Sequence, residues 1–338
     1  MAIDPLRDPN VLQLSRAATL IGMDGRSLRR EHAAGALMSI RRGMYTPSSL
    51  WSDLAARDRY LLRMRAVLDS RKSDAVFSHA SAAALWDLPV VGPWPEFVHV
   101  YTVDGSRRSS RRGIRWHRAP LLEGDIVEVD GVLVTSPLRT LLDLARTTTF
   151  MSAVTTLDAG LARAVNENGR ADAAVRLREM LVDRLDALAR APGTAKARCA
   201  IDFATHLAGS PGESVSRVQM HVLRFPKPEL QFPVIDRNGT LWHSDFGWPV
   251  YRQLGEFDGF TKYTRAAYTN GKPIEEIVWA EKKREDLMRA ATGYGMARWL
   301  WSDALRAPRL SGILSEAGLP RNRPAWSSTP DESIRRTG

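Results

Sequence analysis

Glu256 and Asp258 lie two residues apart in LGEFDGFTKY (254–263), a run that is otherwise apolar and aromatic. In a strand, residues i and i+2 share a face, so both carboxylates point one way and Phe257 the other. LWHSDFGW (241–248) and QLGEFDG (253–259) read as strands joined about Pro249–Arg252, and a hairpin centred there sets Asp245 opposite Glu256. Directly opposed residues lie about 5 Å apart on one face. Asp245, Glu256 and Asp258 would then converge, and carboxylates that close repel unless something neutralises them. A hard divalent cation does so, and an all-oxygen set completed by waters suits Mg²⁺ or Mn²⁺, not zinc. Such an ion polarises a phosphate, lowers the pKa of a bound water and stabilises a leaving oxygen. A Lys beside it would orient that water or offset transition-state charge. Lys262 follows Asp258 by four residues in a chain that has only seven Lys. The competing reading is a solvated hairpin edge, where paired acids are common.

The elements that must position these acids are legible around them. GESVSRVQMHVLRF (212–225) predicts a helix with Glu213 in its first turn, and LQFPVID (230–236) a strand. VWAEKKREDLMRAATGYG (278–295) predicts a helix closed by Gly, and MARWLWSDAL (296–305) a further strand and turn. Helix, three antiparallel strands, helix, strand is the order of a restriction-endonuclease-like core. On Glu213 in GESVSR, Asp245 in SDFGW, Glu256 and Asp258 in GEFDG, and Arg284 with Asp286 in EKKREDLMRA, the stretch 200–310 resembles the PD-(D/E)XK nucleases. The branch it is most similar to is that of the very-short-patch-repair (Vsr-like) endonucleases. The resemblance implies that Asp245 and Glu256 are metal ligands and that Glu213 completes or supports the site. Asp258 stands where that family's motif has its Lys. Either Lys262 or Lys282 takes the Lys role, or Asp258 is a further ligand, or the domain is inactive.

The N-terminal segment has a different chemistry. LSRAATLIG (14–22) predicts a helix ended by Gly22; Asp24 is a candidate N-cap for GRSLRREHAAG (25–35); ALMSIRRGMYTP (36–47) predicts two short strands about Arg41-Arg42-Gly43. Helix, turn, Arg-rich helix and basic hairpin is the order of a winged helix-turn-helix. Arg26, Ser27, Arg29 and Arg30 would face the DNA major groove, Arg41 and Arg42 would reach phosphate or the minor groove, and Leu28 and Ala33 would face the core. The alternative is an amphipathic helix with a solvated Arg face. The stretch LIGMDGRSLRREHAAGALMSIRRGMYTP resembles the N-terminal domain of AbiEi-type antitoxins of type IV toxin–antitoxin systems.

In the middle, LWSDLAARDRYLLRMRAVLDS (50–70) and SHASAAALWDLPV (78–90) predict helices, FVHVYTV (97–103) and GIRWHRA (113–119) strands, and DIVEVDGVLVTS (125–136) a hairpin turning on Asp130-Gly131. Ser136-Pro137 supplies an N-cap and first position for a helix over 136–146. This pattern resembles the C-terminal region of the same antitoxins. The spacing of His79, His99 and His117 matches no local ligand motif and predicts core or strand-edge histidines. Arg107, Arg108, Arg111 and Arg112 either grip phosphate or keep a loop solvated.

The net charge is +10, and residues 1–72 hold 13 basic against 7 acidic residues whereas 200–318 hold 15 against 14. The surplus at the N-terminal end favours a polyanion there, although Arg bias can also reflect genome composition. One cysteine, Cys199, excludes a disulfide framework and a cysteine zinc cage. No apolar run spans a membrane, and MAIDPLRDPN has no apolar signal core, so a cytoplasmic protein is expected.

The fold class expected is a multidomain α/β protein: an N-terminal winged helix-turn-helix with its following helix (1–72), a small antitoxin-like α/β middle domain (73–165), a helical connector (166–199), a C-terminal restriction-endonuclease-like α/β domain (200–318) and a disordered tail (319–338). The expected partners are double-stranded DNA and a cognate toxin protein, with no membrane. The expected cofactor is Mg²⁺ or Mn²⁺. The function expected is an antitoxin-like DNA-binding regulator fused to a nuclease-like domain, with a non-catalytic repressor as the alternative.

Overall fold

Alternating apolar residues close into three sheets among the described residues. The computed structural model describes residues 4–8, 11–14, 25–70, 75–102, 110, 113–188, 191–259, 274–321 and 326. The chain divides into two compact units, Met1–Leu144 and Ala145–Gly338.

The first unit opens with β1 (Gln13–Leu14), α1 (Gly25–Ala33), β2 (Leu37–Arg41) and β3 (Met44–Pro47), the strands pairing antiparallel in the order β1-β3-β2. Gly43 takes φ 76 in the β2–β3 turn, a backbone conformation that costs glycine nothing. Leu28 of α1 packs with Leu37 and Tyr45. Ala33, expected on that inward face, is exposed, because α1 ends there and the chain turns away through Gly35 at φ 80. Leu14 belongs to a strand rather than to a helix over 14–22, and residues 15–24 lie outside the described residues.

The helix expected over 50–70 is two helices, α2 (Ser48–Asp53) and α3 (Ala56–Ser70). Leu54 between them is extended, with ψ 138. Arg59 accounts for the break: its guanidinium donates to the Trp51 and Ser52 carbonyls at 2.8 Å each, satisfying end carbonyls that a continuous helix would have bonded itself.

A second sheet contains β4 (Ala75–Phe77), β5 (Val98–Thr102), β6 (Ile114–His117), β7 (Ile126–Val129) and β8 (Val132–Thr135), in the order β6-β5-β4-β8-β7. Its helices are α4 (His79–Leu85), after β4, and α5 (Pro137–Thr147), after β8. Phe77, Val98, Val100, Ile114 and Val134 pack with Tyr60 and Met64 of α3. Asp130 and Gly131 turn the β7–β8 hairpin with φ 55 and 77, as the Asp-Gly signal predicts. Arg139 of α5 is buried among Asp125 at 2.8 Å, Asp143 at 3.0 Å and the Tyr101 hydroxyl at 2.9 Å.

In the second unit, α6 (Phe150–Asn168) packs against α7 (Asp172–Asp186), α8 (Thr194–Phe203) and α9 (Pro211–Val222). Much of the stretch read as a connector is therefore part of this packed unit. A buried ion pair, Arg217 to Asp158 at 2.9 Å, ties α9 to α6. After α9 come β9 (Glu229–Ile235), β10 (Leu241–Trp248), a 3₁₀ turn (Pro249–Tyr251), β11 (Gln253–Asp258), α10 (Ile274–Thr292) and β12 (Gly295–Leu300), then α11 (Trp301–Ala304) and α12 (Ala307–Glu316). The sheet order is β12-β11-β10-β9; β9, β10 and β11 pair antiparallel and β12 runs parallel to β11. Helix, three antiparallel strands, helix and strand thus follow in the expected order.

The sheet of the second unit is covered on both faces. Gly212 of α9 lies against the Phe257 ring, and Trp299 Nε1 donates to Ser216 Oγ at 2.7 Å, so α9 covers the Phe257 face. Met288 of α10 packs with Leu254 and Val234 on the opposite face. In the tail expected to be disordered, Leu319 is buried, and Trp326 donates to the Phe225 carbonyl at 2.9 Å and stacks on Phe203. Residues 322–325 and 327–338 lie outside the described residues. Among the described residues, no helix is long and apolar enough to cross a membrane.

Candidate functional site

β10 and β11 pair as Phe246↔Gly255, Gly247↔Leu254 and Trp248↔Gln253. This register leads to Asp245 beside Glu256. There the regular ladder gives way to a side-chain contact: Asp245 Oδ2 accepts the Phe257 backbone N–H at 2.8 Å. The carboxylate of one strand is thereby pinned to the residue that follows the acid of the other. On the far side of β10 the ladder pairs Ser244↔Phe232 and Phe246↔Leu230, while Gln231 between them sits at φ 48. Gln231 thus breaks the regular β9 backbone opposite Asp245.

Glu256 is buried, and Arg298 is its register partner on β12, so Asp245, Glu256 and Arg298 lie abreast on three neighbouring strands. Arg284 of α10 reaches down to Glu256 Oε2 at 2.5 Å and also donates to the His243 carbonyl at 3.1 Å. Glu256 Oε1 is buried and, among the described residues, has no hydrogen-bond partner. Burial and the Asp245 carboxylate push Glu256 up to about 7, against the pull of Arg284 and Arg298. Asp258, two residues on, shares the face of Glu256 and is half-buried.

The other expected site residues are placed as follows. Glu213 is buried in the first turn of α9, where Ser210 Oγ caps its N–H at 3.2 Å and its Oε2 accepts from the Gly209 N–H at 2.8 Å and from Gln231 Nε2 at 3.0 Å. These bonds fix the loop into α9: Ser210 caps the helix, and Glu213 reaches back to the amide of the residue before the cap. Lys262 lies outside the described residues, and Lys282 is exposed on α10. In the first unit, Arg26, Arg29 and Arg30 are exposed on α1 while Leu28 between them is buried; Ser27 donates to Glu31 Oε1 at 2.9 Å. Arg42 is exposed at the hairpin turn and Arg41 is half-buried. Arg107, Arg108, Arg111 and Arg112 lie outside the described residues.

Three residues to which sequence spacing gave no chemistry come together. His117 Nε2 lies 3.0 Å from His99 Nδ1, and the His79 and His117 rings stack with centroids 3.7 Å apart. Among the described residues, these three side chains are the grouping whose ligand atoms all lie within 4.8 Å of one another. Among the described residues, the acids of the second unit do not form such a group. Burial, with His117 and Arg115 nearby, pushes His99 down to about 3, and burial with Arg115 pushes His117 to about 4. Both rings are therefore neutral at ordinary pH. The signal that would have found them is tertiary: β5 and β6 are parallel neighbours, and β4 delivers His79 to the same end.

The chain matches no protein-family model. It is similar to two uncharacterized proteins of Mycobacterium tuberculosis, MT2308 of strain CDC 1551 / Oshkosh and Rv2248 of strain H37Rv. Each is 29% identical over 237 residues, covering 67% of this chain and 80% of the relative. Among solved structures, the RV2827C protein of Mycobacterium tuberculosis matches 58% of this chain and 77% of its own, at 17% identity and a TM-score of 0.33.

Proposed function

We infer that the protein binds double-stranded DNA through its N-terminal elements and carries a nuclease-like second unit that hydrolyses a phosphodiester with Mg²⁺ or Mn²⁺. The observation that carries this reading is the juxtaposition of Asp245 and Glu256 on paired antiparallel strands, with the Asp245 carboxylate fixed by the Phe257 amide. The donors fit the ion: both are carboxylates, and Glu256 offers a buried oxygen with no hydrogen-bond partner among the described residues. Asp258 lies on the same face of that strand but outside ion-binding distance of the pair as they stand, so it would join only by a side-chain shift. When bound, the ion would supply Lewis-acid polarisation of the phosphate and a more acidic water. Arg284 and Arg298 would hold the negative charge of DNA beside the acids. Glu213 would support the site from α9, and the Lys role would fall to Lys262.

In the first unit, α1 followed by the β2–β3 hairpin fits a winged helix-turn-helix, with Arg26, Ser27, Arg29 and Arg30 toward the groove and Arg41 and Arg42 at the wing. The antitoxin-like reading of residues 14–163, with a cognate toxin as partner, rests on the sequence resemblance.

Arg284 favours a second reading. A guanidinium 2.5 Å from Glu256 already neutralises one of its oxygens, as expected of a nuclease fold retained without catalysis. The protein would then be a repressor whose second unit only grips DNA or a protein partner. Nicking of supercoiled plasmid in Mg²⁺ or Mn²⁺, lost in Asp245→Ala and Glu256→Ala, supports hydrolysis; DNA binding without nicking supports the repressor.

A further inference from the structure

In the first unit, three imidazoles from three different elements meet at one end of the β6-β5-β4 side of the sheet. β5 and β6 pair in parallel as His99↔Arg115 and Tyr101↔His117, which sets His99 and His117 diagonally on one face. β4 runs beside β5, with Phe77 opposite Val100, and ends where α4 begins at His79. The junction is pinned by backbone: Ser78 N–H donates to the His99 carbonyl at 3.0 Å, and Ser81 Oγ accepts the His99 N–H at 2.8 Å. Local hydrogen bonds thus fix the positions of two of the three histidines, independently of what their rings do.

One ring nitrogen from each of the three lies within 4.8 Å of those of the other two. Two ring nitrogens, His99 Nδ1 and His117 Nε2, face each other at 3.0 Å. Two imidazoles on one tetrahedral zinc, with Zn–N of about 2.0–2.1 Å, hold their nitrogens about 3.3 Å apart, so a small parting of this pair admits an ion. His79 Nδ1 lies 3.0 Å from Ser78 Oγ, a contact that orients the ring, as outer hydrogen bonds orient metal-bound histidines. His79 is buried and sits at φ 50, a left-handed backbone that is uncommon for a non-glycine residue. The Tyr101 ring, 5.5 Å from His79 and 5.9 Å from His117, closes one side, and its hydroxyl donates to Asp143 at 3.0 Å.

We propose that His79, His99 and His117 form a site for a single borderline divalent transition ion of the Zn²⁺ class, held by three imidazole nitrogens with the fourth position left to water. An all-imidazole set selects Zn²⁺, Co²⁺, Ni²⁺ or Cu²⁺ over the hard ions Mg²⁺ and Ca²⁺. The site is separate in chemistry and in chain unit from the carboxylates of the second unit. Because its ligands come from β5, β6 and the β4–α4 junction, occupation ties these elements together and raises the stability of the first unit.

The test uses the full chain stripped with a chelator and titrated with Zn²⁺ alone, read by calorimetry and metal analysis, and with Co²⁺, read by its visible absorption. The expected result is one tight ion per chain that excess Mg²⁺ does not displace, the intense visible bands of four-coordinate Co²⁺, and a higher unfolding temperature in Zn²⁺. His117→Gln should weaken binding by about 100-fold or more. His32→Gln, at an exposed histidine, and Glu256→Ala, in the second unit, should keep the ion. Should His117→Gln fail to fold, ¹⁵N spectra of the histidine rings in the unaltered chain give the same answer: Zn²⁺ should move the resonances of three rings and leave the other four. No saturable binding, binding that survives His117→Gln, or binding lost in His32→Gln or Glu256→Ala would overturn the proposal.

Discussion

Arg284 holds one oxygen of the buried Glu256 carboxylate at 2.5 Å, and the other oxygen has no hydrogen-bond partner among the described residues. Leaving a buried acceptor unsatisfied costs about 1–3 kcal/mol. A cation or a proton arriving at that oxygen recovers the cost. The arrangement therefore favours a positive charge or a proton at that oxygen, and the neighbouring Asp245 raises the energy of the ionised form.

That balance makes folding stability depend on pH. Glu256 is pushed up from 4.5 to about 7, so the folded state holds its proton more tightly than the unfolded chain does. Its contribution favours folding below the unfolded value and is lost as the pH rises through about 7, on the order of 3 kcal/mol over that window. Urea unfolding at about pH 5 and about pH 8 should show this loss in the unaltered chain and a smaller one in Glu256→Gln. Equal losses in the two would contradict it. Asp245→Asn should lower the Glu256 titration and Arg284→Ala should raise it, as read by carboxyl ¹³C shifts.

Helix α9 can approach β11 only because residue 212 has no side chain. A Cβ there would lie 2.0 Å from the Phe257 ring, the neighbour of Glu256 in sequence. Gly212→Ala should destabilise the protein by about 1–3 kcal/mol through overpacking. Chemical denaturation checks this, and an unchanged midpoint would mean that α9 moves freely away from the sheet.

Much of the second unit was legible because its signals are local. The alternation of LWHSDFGW and QLGEFDG and the turn between them fixed the strand pairing, and the register follows the pairing that brings Asp245 to Glu256. What was not legible depends on distant partners. Arg284 meets Glu256 across 28 residues, and although the motif resemblance names Arg284, no local pattern in EKKRED shows that it turns inward onto Glu256 while the lysines remain exposed. The three histidines meet through a parallel pairing of β5 with β6, which no hairpin spacing announces. The break at Leu54 was hidden for the same reason, since the Arg59 side chain that caps α2 is equally at home in a continuous helix. Ser210-Pro211 marks the start of α9 locally, whereas the Glu213 contact with Gln231 joins residues 18 apart.

The basic N-terminal elements predict salt-dependent binding to duplex DNA. Arg29→Ala, Arg30→Ala and Arg42→Ala should each weaken binding and reduce the slope of log K against log salt by about 1 where the side chain contacts phosphate. Fluorescence anisotropy over a salt series reads both quantities. Slopes unchanged in all three would remove α1 and the hairpin turn from the DNA interface.

The most direct measurement is plasmid nicking by the full chain in Mg²⁺ or Mn²⁺, against chelator, with Asp245→Ala and Glu256→Ala alongside. Metal-dependent conversion of supercoiled to open-circular or linear DNA is expected, reduced by about 100-fold or more in each variant. Nicking that persists in Glu256→Ala, or no nicking by the unaltered chain while it still binds the same DNA, would contradict an active nuclease centre at this acid pair.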